Sequence, residues 1–128
     1  MKKLLIWIGS FLGLIILTVV LTSPKGAKTL EELVANKKDF FLVIGADFCS
    51  FCQEYKRETL NYYSESEMGA PLVEVDWFKI SEEEQESMKS TYGIEVEVTP
   101  TTYFFKDGVL KETREGVLTM SDLKEMKK

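Results

Sequence analysis

Apolar residues in this chain form one long run and several short ones. The long run covers residues 4–22 and contains no charged side chain. The short run at 40–44 is apolar at every position, which is typical of a central strand with both faces buried. Segments 72–77 and 101–105 also have the length and the β-branched and aromatic content of strands.

A hairpin and several helices complete the predicted order of elements. Lys106-Asp107-Gly108 is a hairpin signal, and a return strand follows at 109–113. The predicted helices are one that begins at Thr29 and three at 53–62, 81–88 and 121–128, with a linker at 24–28 and a loop at 64–70. Strands that alternate with helices and then end in a hairpin predict an α/β domain with a mixed sheet over residues 29–128.

The long apolar run predicts a membrane anchor within residues 1–23. At about 1.5 Å per residue, residues 4–22 would span about 28 Å as a helix, close to the thickness of a bilayer core. A cleaved secretory signal peptide and a buried helix are the alternatives. The apolar part of a signal peptide is usually shorter, and no A-x-A cleavage motif follows here. No cysteine directly follows the run either, which argues against a lipoprotein anchor.

Charge is distributed unevenly about this run. Lys2 and Lys3 lie close to its start, while Lys25 and Lys28 lie farther from its end, which favours an N-terminus inside the cell and a domain outside. All 21 acidic residues and 14 of the 16 basic ones follow residue 23, so that part of the chain has a net charge of −7. Such an acidic domain is unsuited to a phosphate backbone, and we expect no nucleic acid partner.

The two cysteines, Cys49 and Cys52, are the strongest chemical signal. They follow the apolar run at 40–44 and open a predicted helix. A helix N-terminus presents unpaired N–H groups and a partial positive charge to the first sulfur, which favours the nucleophilic thiolate. This arrangement is typical of thiol–disulfide chemistry. The chain has no histidine, and two thiolates cannot fill a tetrahedral zinc site, so we expect no metal and no cofactor.

Three further blocks of sequence occur in a familiar order. The first block, residues 41–52, resembles an active-site strand and turn. The second, Tyr92-Gly93-Ile94 followed by Val98-Thr99-Pro100-Thr101, resembles a segment that leads to a cis-proline. The third, residues 104–108 and then 116–118, resembles a closing hairpin and last helix. In these blocks residues 29–128 resemble the thioredoxin-fold family. The resemblance implies a three-layer α/β/α fold around a central mixed sheet.

The resemblance also implies roles for individual residues. Cys49 would be the attacking thiol and Cys52 the resolving one. The bond between Thr99 and Pro100 would be cis, and the backbone beside it would pair with an extended substrate. A trans proline at the start of a strand is the alternative. The substrate-binding set implied by the family is Phe48, Ser50, Phe51, Thr99 and Pro100.

Several positions depart from the usual pattern of that family. Phe48 stands where tryptophan is usual, and Ser50-Phe51 where Gly-Pro is usual. The buried acid of reducing members would fall at Val43, and its lysine neighbour near Leu72, but both residues here are apolar. The missing acid argues against fast proton transfer at Cys52 and against a strongly reducing role.

We therefore predict a membrane-tethered, extracytoplasmic thiol–disulfide oxidoreductase that acts on protein or peptide disulfides through Cys49 and Cys52. Residues 4–22 would hold it in the membrane, and cleavage of that segment would make it a secreted protein. Its partners would be a cysteine-containing substrate and a redox partner protein that resets the cysteine pair. Small anchored proteins of this kind resemble thioredoxin-like bacteriocin transport accessory proteins. The alternative is a binding module for an exported peptide or a transporter, with a purely structural Cys49–Cys52 disulfide.

Overall fold

Helices and strands alternate along the part of the chain that the structure describes. This structure is a computed structural model that describes residues 25–128, and their side chains from Thr29 onward. In chain order the elements are α1 (Lys25–Ala35), β1 (Phe40–Gly45), α2 (Ser50–Glu58), a 3-10 turn (Leu60–Tyr62), α3 (Glu65–Met68), β2 (Leu72–Asp76), α4 (Glu82–Tyr92), β3 (Thr101–Lys106), β4 (Val109–Glu115) and α5 (Met120–Lys127).

The strands of residues 25–128 form one mixed sheet in the order β2-β1-β3-β4. β1 runs parallel to β2, and β3 runs antiparallel to both β1 and β4. The β3–β4 turn has positive φ angles at Asp107 (54°) and Gly108 (78°), as a tight hairpin turn requires. The predicted mixed sheet and its closing hairpin are therefore confirmed.

Helices cover both faces of this sheet. Phe40 and Leu42 of β1 pack with Leu30 of α1 in one buried cluster, which also takes in residues of α4. Phe41 and Val43 point to the opposite face and join a second cluster formed with α2, α3 and α5. Because both faces are covered, β1 is apolar throughout residues 40–44. The order of helix, sheet and helix makes three layers.

The first helix begins earlier than the sequence predicted. α1 starts at Lys25, inside the segment 24–28 that was assigned to a linker, whereas the capping pattern placed the start at Thr29. Lysine and alanine are good helix formers, and the single Gly26 costs only about 1 kcal/mol relative to alanine. The helix therefore extends through the assigned linker.

The segment 64–70 also differs from its prediction as a loop, because it contains the short helix α3. Acidic Glu65 and Glu67 lie in its first turn, where they interact favourably with the helix dipole. Gly69 ends the helix in a left-handed conformation with φ of 71°. Met68 is 3% exposed, so its burial favours this turn over an open loop.

The predicted anchor and the orientation drawn from Lys2 and Lys3 fall on residues 1–24, outside the described part of the chain. Within the described residues, none of the helices is both long enough and apolar enough to cross a membrane. The membrane anchor stays a prediction from the sequence.

Candidate active site

Cys49 lies at the point where the chain leaves β1 and enters α2. It is the N-cap residue of α2, with extended backbone angles (φ −89°, ψ 114°). Its Sγ accepts a hydrogen bond from the backbone N–H of Cys52 at 3.1 Å. A cysteine sulfur thus occupies the place that a serine or aspartate oxygen takes at an ordinary helix N-terminus. The predicted placement of Cys49 at the start of this helix is confirmed.

The two thiols have opposite electrostatic environments. Partial burial acts to raise the pKa of Cys49, but hydrogen bonds from Cys52, from the Thr99 side chain and from the Phe51 N–H outweigh it, so the pKa of Cys49 is lowered. Burial and the hydrogen bond with Cys49 raise the pKa of the Cys52 thiol. Cys49 is therefore the thiol that ionises more readily, and both thiols are unlinked in this structure.

A second segment, fifty residues farther along, contacts this cysteine. The Cys49 thiol donates to the carbonyl oxygen of Thr99 at 3.5 Å. The Thr99–Pro100 peptide bond is cis, the geometry that the family resemblance implied. The Thr101 hydroxyl donates to the Val98 carbonyl at 2.6 Å and braces the same loop. The fold thus brings Thr99 and Pro100 beside Cys49.

Of the five residues predicted to bind substrate, three line one groove. Phe51, Thr99 and Pro100 line a groove of about 450 Å³, which Glu54, Val98, Glu115, Gly116 and Val117 complete. Phe48 and Ser50 lie outside that groove, and Phe48 is 75% exposed. Pro100 is buried, so only its edge and the neighbouring backbone are available to a partner.

Phe48 instead pairs with Phe78, a residue that the sequence reading missed. Their ring centroids lie 4.9 Å apart, and Phe78 is 62% exposed. The Asp76 carboxylate joins the two loops, because it accepts from the N–H of Asp47 at 3.2 Å and from that of Phe78 at 3.0 Å. The sequence held a signal for this contact, because Phe48 follows β1 and Phe78 follows β2, and the carboxyl ends of neighbouring parallel strands meet at one edge of a sheet.

The same loops are joined by an exposed ion pair. The ammonium group of Lys79 lies 2.5 Å from the Asp47 carboxylate. Hydrogen bonding and the positive charge of Lys79 lower the pKa of Asp47. Both side chains are mostly exposed, so this pair helps to position the loops and adds little to stability.

A cavity of about 260 Å³ lies beneath Cys52, with Val43 in its lining. Register places Glu74 opposite Val43, whereas Leu72 lies opposite Phe41. The family's lysine neighbour was expected near Leu72, and the β1–β2 register places Glu74, two residues farther along, beside Val43 instead. Glu74 lines the cavity and its carboxylate lies 4.0 Å from the Lys56 ammonium group.

Within residues 25–128, no three or more side chains of cysteine, aspartate or glutamate form a group that could hold a metal ion. The described geometry of the site supplies two thiols, a helix N-terminus and a backbone carbonyl.

Comparison with known proteins assigns the family. A sequence model of the thioredoxin-like domain matches residues 27–127. The chain belongs to the thioredoxin-like family. No curated protein matches it in sequence. A thioredoxin-like fold with two cysteines this close together indicates, at the general level, a thiol–disulfide oxidoreductase.

Solved structures share the thioredoxin-like fold at low sequence identity. Thioredoxin from Aeropyrum pernix is 24% identical with a TM-score of 0.57, over 75% of this chain and 78% of that one. Thioredoxin from Fasciola hepatica is 18% identical with a TM-score of 0.58, over 79% and 91%. Oxidised mitochondrial thioredoxin 3 from Saccharomyces cerevisiae is 19% identical with a TM-score of 0.58, over 78% and 87%. At these identities the likeness concerns the fold.

Proposed function

We propose that this protein is a membrane-tethered, extracytoplasmic thiol–disulfide oxidoreductase that acts on protein or peptide disulfides. The observation that carries the proposal is the position of the Cys49 sulfur, which caps α2 and accepts the Cys52 N–H at 3.1 Å. That donor and the helix dipole favour a thiolate at Cys49. The Thr99 carbonyl beside the sulfur marks the side on which a substrate backbone can approach.

The reaction begins at Cys49. Its thiolate attacks one sulfur of the substrate disulfide, that S–S bond breaks, and the released substrate sulfur takes a proton from water. Cys52 then loses its proton and attacks the Cys49 sulfur of the mixed disulfide. A Cys49–Cys52 disulfide forms, and the second substrate sulfur leaves as a thiol. Two electrons have passed to the substrate, and the reverse sequence oxidises a dithiol.

Substrate binding draws on the segment around the cis bond. Thr99 has no backbone hydrogen-bond partner for its N–H among residues 25–128, so an extended substrate can pair with the backbone there by strand addition. Phe51, 61% exposed, lines the groove, and Phe48, 75% exposed, directly precedes Cys49 in the chain. A redox partner with its own cysteine pair would use the same surface to reset the enzyme.

The location of the enzyme is proposed from the sequence. Residues 4–22 are long and apolar enough to span a bilayer core, and Lys2 and Lys3 favour an inside N-terminus. An exported disulfide-bonded peptide, as in the bacteriocin transport accessory proteins that the chain resembles, is the substrate we propose.

A binding module with a structural disulfide is the second candidate. The observation in its favour is Val43, an apolar residue in the cavity beneath Cys52 where reducing members of the family have an acid. Without that acid, the raised pKa of Cys52 would slow resolution of a mixed disulfide.

Equilibration with glutathione separates the two candidates. The full chain, held in a nonionic detergent, is incubated across ratios of reduced to oxidised glutathione, and the thiol state of the cysteine pair is read after acid quenching. An enzyme should cycle between the two states with one measurable reduction potential. Cys52→Ser should accumulate mixed disulfides, and Cys49→Ser is its matched control. A pair that stays oxidised throughout favours the binding module.

A further inference from the structure

The groove beside Cys49 is lined by both apolar and acidic side chains. Phe51, Val98 and Val117 contribute exposed apolar surface, and Glu54 and Glu115 stand beside them. Exposed large apolar side chains that cluster near a reactive sulfur mark a surface for a partner. No lysine or arginine lines this groove.

The acidic character continues into a second groove, which shares Glu115 with the first. This second groove has a volume of about 250 Å³, and Glu95, Glu97 and Glu115 line it. Tyr103 lies at its base, and its hydroxyl donates to the Glu95 carbonyl oxygen at 2.5 Å. Burial raises the pKa of Tyr103, and the negative charges of Glu115 and Glu95 raise it further.

Some acids of the described chain form ion pairs, and the groove carboxylates do not. On the opposite face of β4, Arg114 lies 3.3 Å from Glu112 and 3.6 Å from Glu125. Among the described residues, no ion pair involves any of the four groove glutamates, which are Glu54, Glu95, Glu97 and Glu115. Like charges gathered around an apolar groove repel one another until a cation approaches them.

We propose, resting on the proposed function, that these grooves select an extended, positively charged segment of the substrate polypeptide. Its cysteine would face Cys49, an apolar side chain would lie between Phe51 and Val117, and lysine or arginine side chains would lie along the four groove glutamates. The glutamates give attraction to a basic segment and repulsion of an acidic one, so they act in specificity as well as in affinity.

Binding is measured first with a chain that cannot react. The full chain carrying Cys49→Ser and Cys52→Ser, in nonionic detergent, is titrated into dansyl-labelled peptides of equal length with a central serine and either lysine, glutamine or glutamate flanks. We expect the lysine peptide to bind about tenfold more tightly than the glutamate peptide at low salt. At about 0.5 M salt this difference should fall to about twofold or less.

Matched charge variants locate the effect. In the same background, Glu54→Gln with Glu115→Gln should reduce the preference for lysine by about threefold or more. Glu32→Gln with Glu67→Gln changes the net charge equally, at exposed positions outside both grooves, and should leave the preference intact. Equal binding of all three peptides, or an equal loss in both pairs of variants, would overturn the proposal.

Exchange with the reactive chain keeps the two proposals distinct. The reduced wild-type protein is mixed with disulfide-linked dimers of the corresponding cysteine peptides, and the second-order rate constant is measured. A lysine preference that disappears in the Glu54→Gln/Glu115→Gln chain supports the selection of basic segments. If no peptide exchanges but the binding preference persists, the oxidoreductase fails and the selection stands. If all peptides exchange and bind equally, the oxidoreductase stands and the selection of basic segments fails.

Discussion

Val43 and Glu74 lie directly opposite each other on parallel strands, and both line the cavity beneath Cys52. Val43 is buried, with 4% of its surface exposed, whereas the side chain of Glu74 on the next strand is 45% exposed and its carboxylate lies 4.0 Å from the Lys56 ammonium group. The cavity lining therefore contains acids, Asp47, Glu74 and Asp76, but none at the position from which the family's acid serves the second cysteine.

Val43→Asp should increase the rate of insulin reduction. A carboxylate at this position can accept the proton of Cys52, and burial together with the charge of Glu74 should raise the pKa of that carboxylate towards neutrality. The free energy of unfolding should fall by about 1–3 kcal/mol. Insulin turbidity measures the rate and urea titration the stability. Val43→Asn is the control, because it adds polarity without a titratable proton. A wild type as fast as an ordinary thioredoxin would refute the role given to the missing acid.

Alkylation rates should differ between the two cysteines of the reduced protein. Because its pKa is lowered, Cys49 should react with iodoacetamide faster than Cys52 at neutral pH. The pH midpoint of the Cys49 alkylation rate should lie below that of an ordinary cysteine. Thr99→Val removes one hydrogen bond to the thiolate and should shift the Cys49 midpoint upward. Thr91→Val, on the exposed end of α4, should leave it unchanged. Mass spectrometry of quenched samples gives both rates, and equal rates would show that the roles are assigned wrongly.

Phe78→Ala should slow exchange with protein disulfides more than exchange with oxidised glutathione. The Phe48–Phe78 pair presents apolar surface that a folded partner can cover and a small disulfide cannot. We expect a reduction of about threefold to tenfold with insulin, and a change in unfolding free energy below about 1 kcal/mol. Tyr62→Ala, also at an exposed aromatic residue (73%), is the control. A loss of equal size with both substrates would mean that Phe78 acts on the cysteine pair itself.

Deletion of residues 1–23 should leave a domain that folds and exchanges thiols in solution. The buried clusters that the structure describes on both faces of the sheet are formed by residues 30–126, and we expect them to fold without the apolar segment. Circular dichroism during heating and the glutathione equilibration test this. Loss of cooperative unfolding in the shortened chain would show that residues 4–22 pack against the domain.

Much of the fold follows from short stretches of sequence. The apolar run at 40–44 identifies β1, Ser81 and Gly93 bracket α4, and Asp107-Gly108 makes the hairpin turn. Each of these signals depends on neighbours a few residues away, so it can be read without the rest of the molecule. The position of Cys49 at the start of α2 is of the same kind. The short helix α3 was not predicted from the sequence, because its single turn depends on the burial of Met68.

Relations between distant segments were decided by the tertiary structure. The sequence alone determined that residues 29–128 form an α/β domain with its cysteine pair at a helix N-terminus. It did not determine that Glu74 faces Val43, that Phe78 meets Phe48, or that Glu54 and Glu115 share a groove. Strand register and loop approach depend on how the whole core packs, and a shift of one or two residues changes every such neighbour.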